Sequence, residues 1–187
     1  MATPIGHALA GCAIAACAHR KLGPGKLAFA ALAANAADLD FVPGLVLGDV
    51  GRFHHYFSHT LLAAVLFGVV IAALARLRLD RNAALGWGVI AALLYASHPL
   101  LDALSTDTGI PYGCPLFWPF SGRYFTATRP VFLDVYRGSL AILLGPHNRA
   151  ALTREFLILG SLCLGVFLVR WGRRRPAGLP ADPPSVV

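Results

Sequence analysis

The stretch TLLAAVLFGVVIAALA, residues 60–75, decides the fold class of this chain because it contains no charged residue. With the four residues before it, it forms a mostly apolar segment at residues 56–75. The hydrocarbon core of a bilayer is crossed by a helix of about 20 mostly apolar residues. Residues 56–75 are therefore predicted to span a membrane as an α-helix.

Two further segments are predicted to span the membrane. Residues 83–101 are mostly apolar and contain no acidic or basic residue other than His98, and residues 156–169 are apolar but shorter. Arg154 and Arg170 flank the shorter segment, and their long side chains can reach the membrane surface from its ends.

Two shorter apolar stretches, residues 5–18 and 27–37, are predicted to form a helical hairpin that packs beside the spans. Hydrophobic residues make up 57% of the chain and charged residues 13%, whereas soluble proteins have about 25% charged residues. The expected fold class is therefore all-α, a multi-span membrane helical bundle whose partner is the lipid bilayer.

The chain is predicted to have one domain. Residues 1–175 form the membrane-embedded part, and residues 176–187, which include PADPP, are predicted to be a disordered tail. No basic stretch precedes the first apolar run, so a cleavable signal peptide is not expected.

The spacing of the four cysteines matches no disulfide or metal-binding pattern. Cys12, Cys17 and Cys163 lie in apolar runs, Cys114 lies alone in a loop, and there is no CxxC pair. The sequence therefore indicates neither a disulfide scaffold nor a thiolate zinc site.

The net charge of +7 comes from basic residues at the ends of the apolar runs. They group in residues 20–26, 76–81 and 170–175, and loops rich in lysine and arginine normally face the cytoplasm. One arrangement puts all three groups inside and leaves the long connection, residues 105–153, on the outer face. The charge thus indicates an orientation in the cytoplasmic (inner) membrane, and no nucleic-acid partner is expected.

Within the long connection, residues 123–137 partly alternate between apolar and polar side chains and are predicted to form a small β-hairpin.

Histidines and aspartates occur at the ends of the apolar segments that lie opposite the basic groups. His59 precedes Arg76, and His98 follows Arg81, by the same number of residues. At about 1.5 Å per residue, both histidines lie about 25 Å from the inner turn. We therefore expect one cluster at the outer membrane boundary. Its members are His7, Asp38, Asp40, His54, His55, His59, His98 and Asp102.

The spacing and chemistry of these residues predict a metal site. His98 and Asp102 are four residues apart and share one helical face, whereas Asp38 and Asp40 are two apart and cannot. One of the two aspartates is therefore expected to be a ligand and the other to support the site. Ionisable side chains at membrane depth are costly, so they tend to pair or to bind ions. Imidazole and carboxylate without thiolate suit zinc or a similar divalent metal, as one or two ions.

Five motifs follow one another along the chain. They are GHAL at residues 6–9, ADLD at 37–40, HHYFSHTLL at 54–62, SHPLLDALS at 97–105 and PLFWPF at 115–120. This ordered set resembles the YdjM-like family of predicted membrane-bound metal-dependent hydrolases over roughly residues 3–125. The family is similar in turn to the all-helical zinc-dependent phospholipases C and the fungal zinc nucleases, which cleave phosphoesters. The resemblance implies their helical fold and a metal-dependent hydrolase activity.

The resemblance also implies roles for single residues. One metal would be surrounded by Asp38, His59, His98 and Asp102. His7 would hold a second metal, with Asp102 bridging the pair. His54 matches a histidine of the family motif.

The chain departs from the family pattern at two places. The motif usually has arginine and glycine where this chain has His55 and Tyr56, so the role of His55 stays open. The soluble relatives hold a third zinc through a later histidine and glutamate set. Here only His147 and Glu155 follow, at a spacing that does not suit one helical face. At most two ions are therefore expected.

The predicted reaction is hydrolysis of a phosphoester in a membrane lipid or a lipid-linked substrate. A bound divalent ion can lower the pKa of its water to about 7, so this water would be the nucleophile. His54, or whichever of Asp38 and Asp40 is not a ligand, would take its proton; with Asp38 as the ligand, that is Asp40. Arg123 and Arg129 are candidates for holding an anionic phosphate, and lipid-headgroup anchoring is the alternative for both.

Two alternatives from other classes are kept. A divalent-metal transporter would also place histidine and aspartate in helices, but near the middle of the membrane with access to both sides. A non-catalytic membrane protein with a structural metal would need a coordination shell closed to water and substrate.

Overall fold

A computed structural model describes residues 1–19, 21–49, 51–136 and 138–173 of the chain. In chain order its helices are α1 (Pro4–Ala18), α2 (Pro24–Ala34), α3 (Phe41–Val46), α4 (Leu61–Arg76), α5 (Arg81–Ala103), α6 (Leu140–Leu143), α7 (Pro146–Glu155) and α8 (Ser161–Arg173). Two 3₁₀ turns, Ala36–Asp40 and Phe57–His59, and a π turn, Phe156–Gly160, lie between them. The described residues form no strand, so the predicted all-α class is confirmed.

Two helices of the described chain are long and apolar enough to cross a membrane, Arg81–Ala103 and Pro146–Gly172. The second of these includes α7, the π turn and most of α8. The number rises to three if Pro24–Ala34 and Ala36–Val46, which are bent by 53° at their junction, form one broken span. Helices α1 and α4 are apolar but shorter. The second and third predicted spans therefore coincide with long helices.

The predicted span at residues 56–75 is shorter in the structure because its first residues are not helical. Phe57–His59 form a 3₁₀ turn, and the Thr60 side chain accepts a hydrogen bond from the amide of Ala63. Threonine in this position caps a helix and fixes where it begins. Helix α4 therefore has 16 residues, about 24 Å of helix against about 30 Å of hydrocarbon core.

Small residues let the helices pack closely. A Cβ atom at Gly68 in α4 would lie 2.6 Å from the carbonyl oxygen of Gly88 in α5. Helices α1 and α2 meet in the same way at Gly11, where a Cβ atom would lie 2.7 Å from the carbonyl oxygen of Ala30. Close approach through small residues is a common way for helices to associate in a bilayer. The two short apolar stretches thus form a packed helical pair, as predicted.

The connection after α5 is irregular, and the hairpin predicted at residues 123–137 is wrong. The described residues of that segment pair with earlier parts of the chain. Phe125 forms a bridge with Cys114, and Phe132 forms one with Ser105, just after α5. The alternating pattern therefore reflects pairing with distant residues. The predicted disordered tail, residues 176–187, lies outside the described residues.

Candidate metal centre

Ends of four helices converge on one buried group of histidines and aspartates. His7 lies in the first turn of α1, and His98 and Asp102 lie in the last turns of α5. The 3₁₀ turn after α2 contributes Asp38 and Asp40, and the turn before α4 contributes His59. His54 and His55 come from the loop between α3 and α4. The structure thus brings together all eight residues of the cluster expected from the sequence.

Four atoms from four side chains form the centre of this group. They are Oδ1 of Asp38, Nε2 of His59, Nε2 of His98 and Oδ2 of Asp102. His98 Nε2 lies 3.3 Å from both carboxylate oxygens. His59 Nε2 lies 3.5 Å from Asp102 Oδ2 and 3.9 Å from Asp38 Oδ1. A tetrahedral zinc ion with bonds of about 2.0–2.2 Å would set its ligand atoms about 3.3–3.6 Å apart.

All four central atoms are buried and lack a hydrogen-bond partner within the described part of the chain. A buried polar atom that is left unpaired costs about 1–3 kcal/mol. Four such atoms face one another here and could share one partner. Each offers a lone pair, so a divalent cation fits this position, and the group could hold a metal ion.

The ring orientations of His59 and His98 favour metal binding. His98 Nδ1 lies 2.8 Å from the carbonyl oxygen of Ala34, which can only accept, so this nitrogen carries the proton. His59 Nδ1 lies 3.0 Å from Oγ of Ser58 and 3.3 Å from Oδ2 of Asp40. In the neutral form of each ring, the lone pair is then on Nε2, at the centre. Metal-binding histidines are usually oriented through their other nitrogen in this way.

The geometry distinguishes the two aspartates that sequence spacing could not separate. Asp40 Oδ1 lies 3.1 Å from His54 Nδ1, and Asp40 Oδ2 accepts a 2.5 Å hydrogen bond from Ser58. Both oxygens of Asp40 are thus engaged in orienting neighbouring side chains. Asp38 instead directs an unpartnered oxygen into the centre. Asp38 could therefore hold a metal directly, whereas Asp40 supports the histidines.

His7 contacts the other oxygen of Asp102. Its Nε2 atom lies 3.4 Å from Asp102 Oδ1, which also accepts a 3.0 Å hydrogen bond from the amide of Ala2. The His7 ring stacks on His98 at a centroid distance of 3.7 Å. Asp102 therefore links the four-atom centre to His7.

An open cavity of about 490 Å³ lies beside the group. His54 and His55 line the cavity together with Asp107 and Tyr136. Burial lowers the pKa of His54 and outweighs the opposing effect of its hydrogen bond to Asp40. The His54 imidazole is therefore mainly neutral at pH 7, with Nδ1 directed at Asp40 and Nε2 in contact with Sδ of Met1.

Four other residues named from the sequence are not part of this group. Arg123 and Arg129 are exposed, and neither belongs to the described lining of the cavity. His147 contacts Asp134 at 3.1 Å, and Glu155 accepts a 2.6 Å hydrogen bond from the amide of Thr3 at the start of α1. His147 and Glu155 thus make different contacts, and the number of bound ions stays a prediction.

Sequence analysis missed Ser58 and Asp107. Asp107 Oδ2 lies 3.3 Å from His55 Nδ1, and its two oxygens accept hydrogen bonds from the amides of Gly109 and Gly113. Burial opposes ionisation of Asp107, but His55 and these amides hold its pKa at about 2. The turn-forming residues STDTG at 105–109 indicated a fixed loop. Nothing in the local sequence indicated that Asp107 would contact His55.

The comparison with known families adds to this geometry. A family model described as YdjM inner membrane protein matches residues 1–174. The chain belongs to the YdjM inner membrane protein family. No curated protein and no solved structure matches the chain. The similarity of this YdjM protein to the phospholipase C fold therefore stays a prediction. Family membership and the apolar helices together indicate the inner membrane, and the orientation within it stays a prediction.

Proposed function

We propose that this YdjM-family protein is a membrane-bound metal-dependent hydrolase that cleaves a phosphoester of a lipid or lipid-linked substrate. The observation that carries the proposal is the set of four buried, unpartnered atoms of Asp38, His59, His98 and Asp102. Two imidazole nitrogens and two carboxylate oxygens suit zinc or a similar divalent ion. The resemblance assigns a second ion to His7, which contacts the other oxygen of Asp102.

The protein groups around the centre would orient ligands and move protons. Asp40 lies against the Nδ1 atoms of His54 and His59 and would fix both rings. His54 is neutral and lines the cavity, so it is the proposed acceptor of the proton that leaves the attacking water. A divalent ion bound here would stabilise charge on phosphoryl oxygens and supply a water with a pKa of about 7.

The surroundings of the cavity support a lipid substrate. Ile110 and Ile142 line it and are 86% and 45% exposed. Exposed apolar side chains beside a polar cavity suit an amphiphilic molecule, whose head would reach His54 while its chains stay in the bilayer. Arg123 and Arg129 are proposed to contact anionic headgroups at the membrane surface.

The cavity also favours catalysis over a purely structural metal. A structural site has a closed shell of protein ligands, whereas a catalytic site keeps a position for water or substrate. The His54 side of the group opens into the cavity. A cavity on this side of the group, from which a water would have to join the four protein donors on the proposed ion, supports the hydrolase.

The proposal is tested by incubating lipid extracts with the wild-type protein and with the His59→Ala variant, followed by mass spectrometry of phosphate-bearing species. We expect only the wild type to change them, and chelation to abolish the change. His147→Ala, outside the group, serves as the matched control and should behave as the wild type. If a soluble ester or amide is cleaved instead, the lipid substrate is wrong. If added metal causes no hydrolysis of any substrate tested, the proposed hydrolase activity is wrong.

A further inference from the structure

His55, Asp102 and Cys114 form a second group of possible metal ligands beside the centre. All three side chains are buried, with exposed fractions of 4%, 1% and 0%. One donor atom from each lies within 4.8 Å of the other two. The proposed hydrolase uses neither His55 nor Cys114 as a ligand, so this group needs its own explanation.

The His55 ring is oriented as a metal-binding histidine is. Its Nδ1 atom lies 3.3 Å from Asp107 Oδ2, and its Nε2 atom is buried with no hydrogen-bond partner in the described residues. With the proton on Nδ1, directed at the carboxylate, the lone pair is on Nε2. The same pairing of a carboxylate with Nδ1 occurs between Asp40 and His59.

The backbone of His55 adopts an uncommon conformation. Its φ is 62°, in the left-handed region, which costs a residue with a Cβ atom about 1–2 kcal/mol. Strain of this kind persists only where the surrounding structure enforces it, and it is concentrated at functional sites. The strained backbone therefore accompanies a ring with an unpartnered buried nitrogen.

Asp107 also fixes the segment that carries Cys114. Its Oδ2 atom accepts a 2.6 Å hydrogen bond from the amide of Gly113. Gly113 has a φ of 85°, and a Cβ atom there would lie 2.5 Å from the carbonyl oxygen of Phe125. Cys114 in turn exchanges two 2.9 Å backbone hydrogen bonds with Phe125. One carboxylate oxygen thus contacts both the His55 ring and the backbone of the thiol-bearing segment.

We propose that His55, Asp102 and Cys114 bind a separate, thiophilic divalent ion of the zinc or cadmium type. Imidazole, carboxylate and thiolate are all established zinc donors. As the metal–sulfur bond forms, the thiol proton is released to solvent. This ion shares Asp102 with the proposed hydrolase centre but does not require the hydrolase activity. It also differs from the ion that the resemblance assigns to His7, because its donors include sulfur.

The proposal revises the conclusion that the cysteines indicate no thiolate site. That conclusion rested on the absence of a local CxxC pair. Cys114 meets His55 and Asp102 only through the fold. Burial raises the pKa of its thiol, so the free side chain is protonated, and metal coordination would remove the proton.

Cobalt substitution tests the site in the purified full-length protein. The protein is stripped with a chelator and titrated with Co²⁺, and absorption is recorded together with cobalt bound per chain. We expect a sulfur-to-cobalt charge-transfer band in the wild type. In Cys114→Ser the band should disappear and one cobalt ion should be lost, while the visible bands of the central ion persist. Cys163→Ser, in α8, is the matched cysteine control and should keep the band.

Two further variants separate this site from the hydrolase centre. Asp107→Asn should weaken binding of the sulfur-bound ion about 10- to 100-fold and leave the central ion unchanged. His98→Ala should remove the central ion and leave the charge-transfer band. A wild type that binds cobalt to saturation without this band overturns the proposal, even if no variant folds. Retention of the band in a folded Cys114→Ser variant overturns it as well.

Discussion

His98 Nε2 and Asp38 Oδ1 lie 3.3 Å apart, although the two residues come from different helical segments. Both atoms are buried, and within the described structure neither has a hydrogen-bond partner. A nitrogen lone pair and a carboxylate oxygen are both electron-rich, so their approach without a partner is unfavourable. A cation between them removes the conflict, which is why metal content is the first property to measure.

Alanine at His98 or Asp102 should lower the amount of bound metal. Each variant removes one of the four central donor atoms, so the ion should be held less tightly. Elemental analysis of purified protein gives metal per chain, and His147→Ala provides a histidine control outside the group. Unchanged metal in both variants would rule out this centre.

Asparagine at Asp38 and at Asp40 should have different effects. Asp38→Asn should prevent binding of the central ion, because it replaces the carboxylate that faces the other ligands. Asp40→Asn should keep the same number of ions at saturating metal but weaken affinity about 10- to 100-fold, as expected for a partner that orients ligands. Titration against a chelator of known affinity measures the number of bound ions and the metal affinity of each variant. The opposite pattern would exchange the roles of the two aspartates.

Thiol labelling should place the metal group on the outer face of the membrane. Cys114 is fully buried and cannot serve as the probe. Ile110, at the cavity, and Leu77, in the basic turn after α4, are 86% and 76% exposed. In intact cells without an outer barrier, an impermeant reagent should label Ile110→Cys and not Leu77→Cys. Labelling of Leu77→Cys alone would mean that the orientation is inverted.

Two glycines of α5 should respond oppositely to alanine. A Cβ atom at Gly88 would lie 2.7 Å from both Ala72 Cβ and the Gly68 carbonyl oxygen, whereas one at Gly86 meets nothing within 4 Å. Gly88→Ala should therefore destabilise the protein by about 1–3 kcal/mol. Gly86→Ala should be neutral or stabilise it by up to about 1 kcal/mol. Thermal unfolding in detergent compares the two, and equal shifts would show that α4 and α5 do not pack as described.

Part of this structure could be predicted from the sequence because its signals are local. Apolar runs bounded by basic residues predicted most helices, and the four-residue spacing of His98 and Asp102 placed both on one face of α5. His59 and His98 are equally far along the chain from the basic turn, which correctly predicted that they lie side by side. Their ring centroids are 5.1 Å apart. The start of α4 was misplaced because the cap at Thr60 was not considered.

The rest could not be predicted because it depends on long-range contacts in the loops. Asp107 reaches His55 across the fold, and Phe125 pairs with Cys114 where a local hairpin was expected. The choice between Asp38 and Asp40 depended on Ser58 and His54, which contact only Asp40 by hydrogen bonds. Spacing along one helix gives no information about such partners.

The most direct test of the account is a crystal structure of the zinc-loaded protein with anomalous scattering recorded at the zinc absorption edge. The account predicts an anomalous peak within about 2.0–2.2 Å of Asp38 Oδ1, His59 Nε2, His98 Nε2 and Asp102 Oδ2. A zinc-loaded crystal with no peak among these four atoms, or with peaks only at surface histidines, would contradict it.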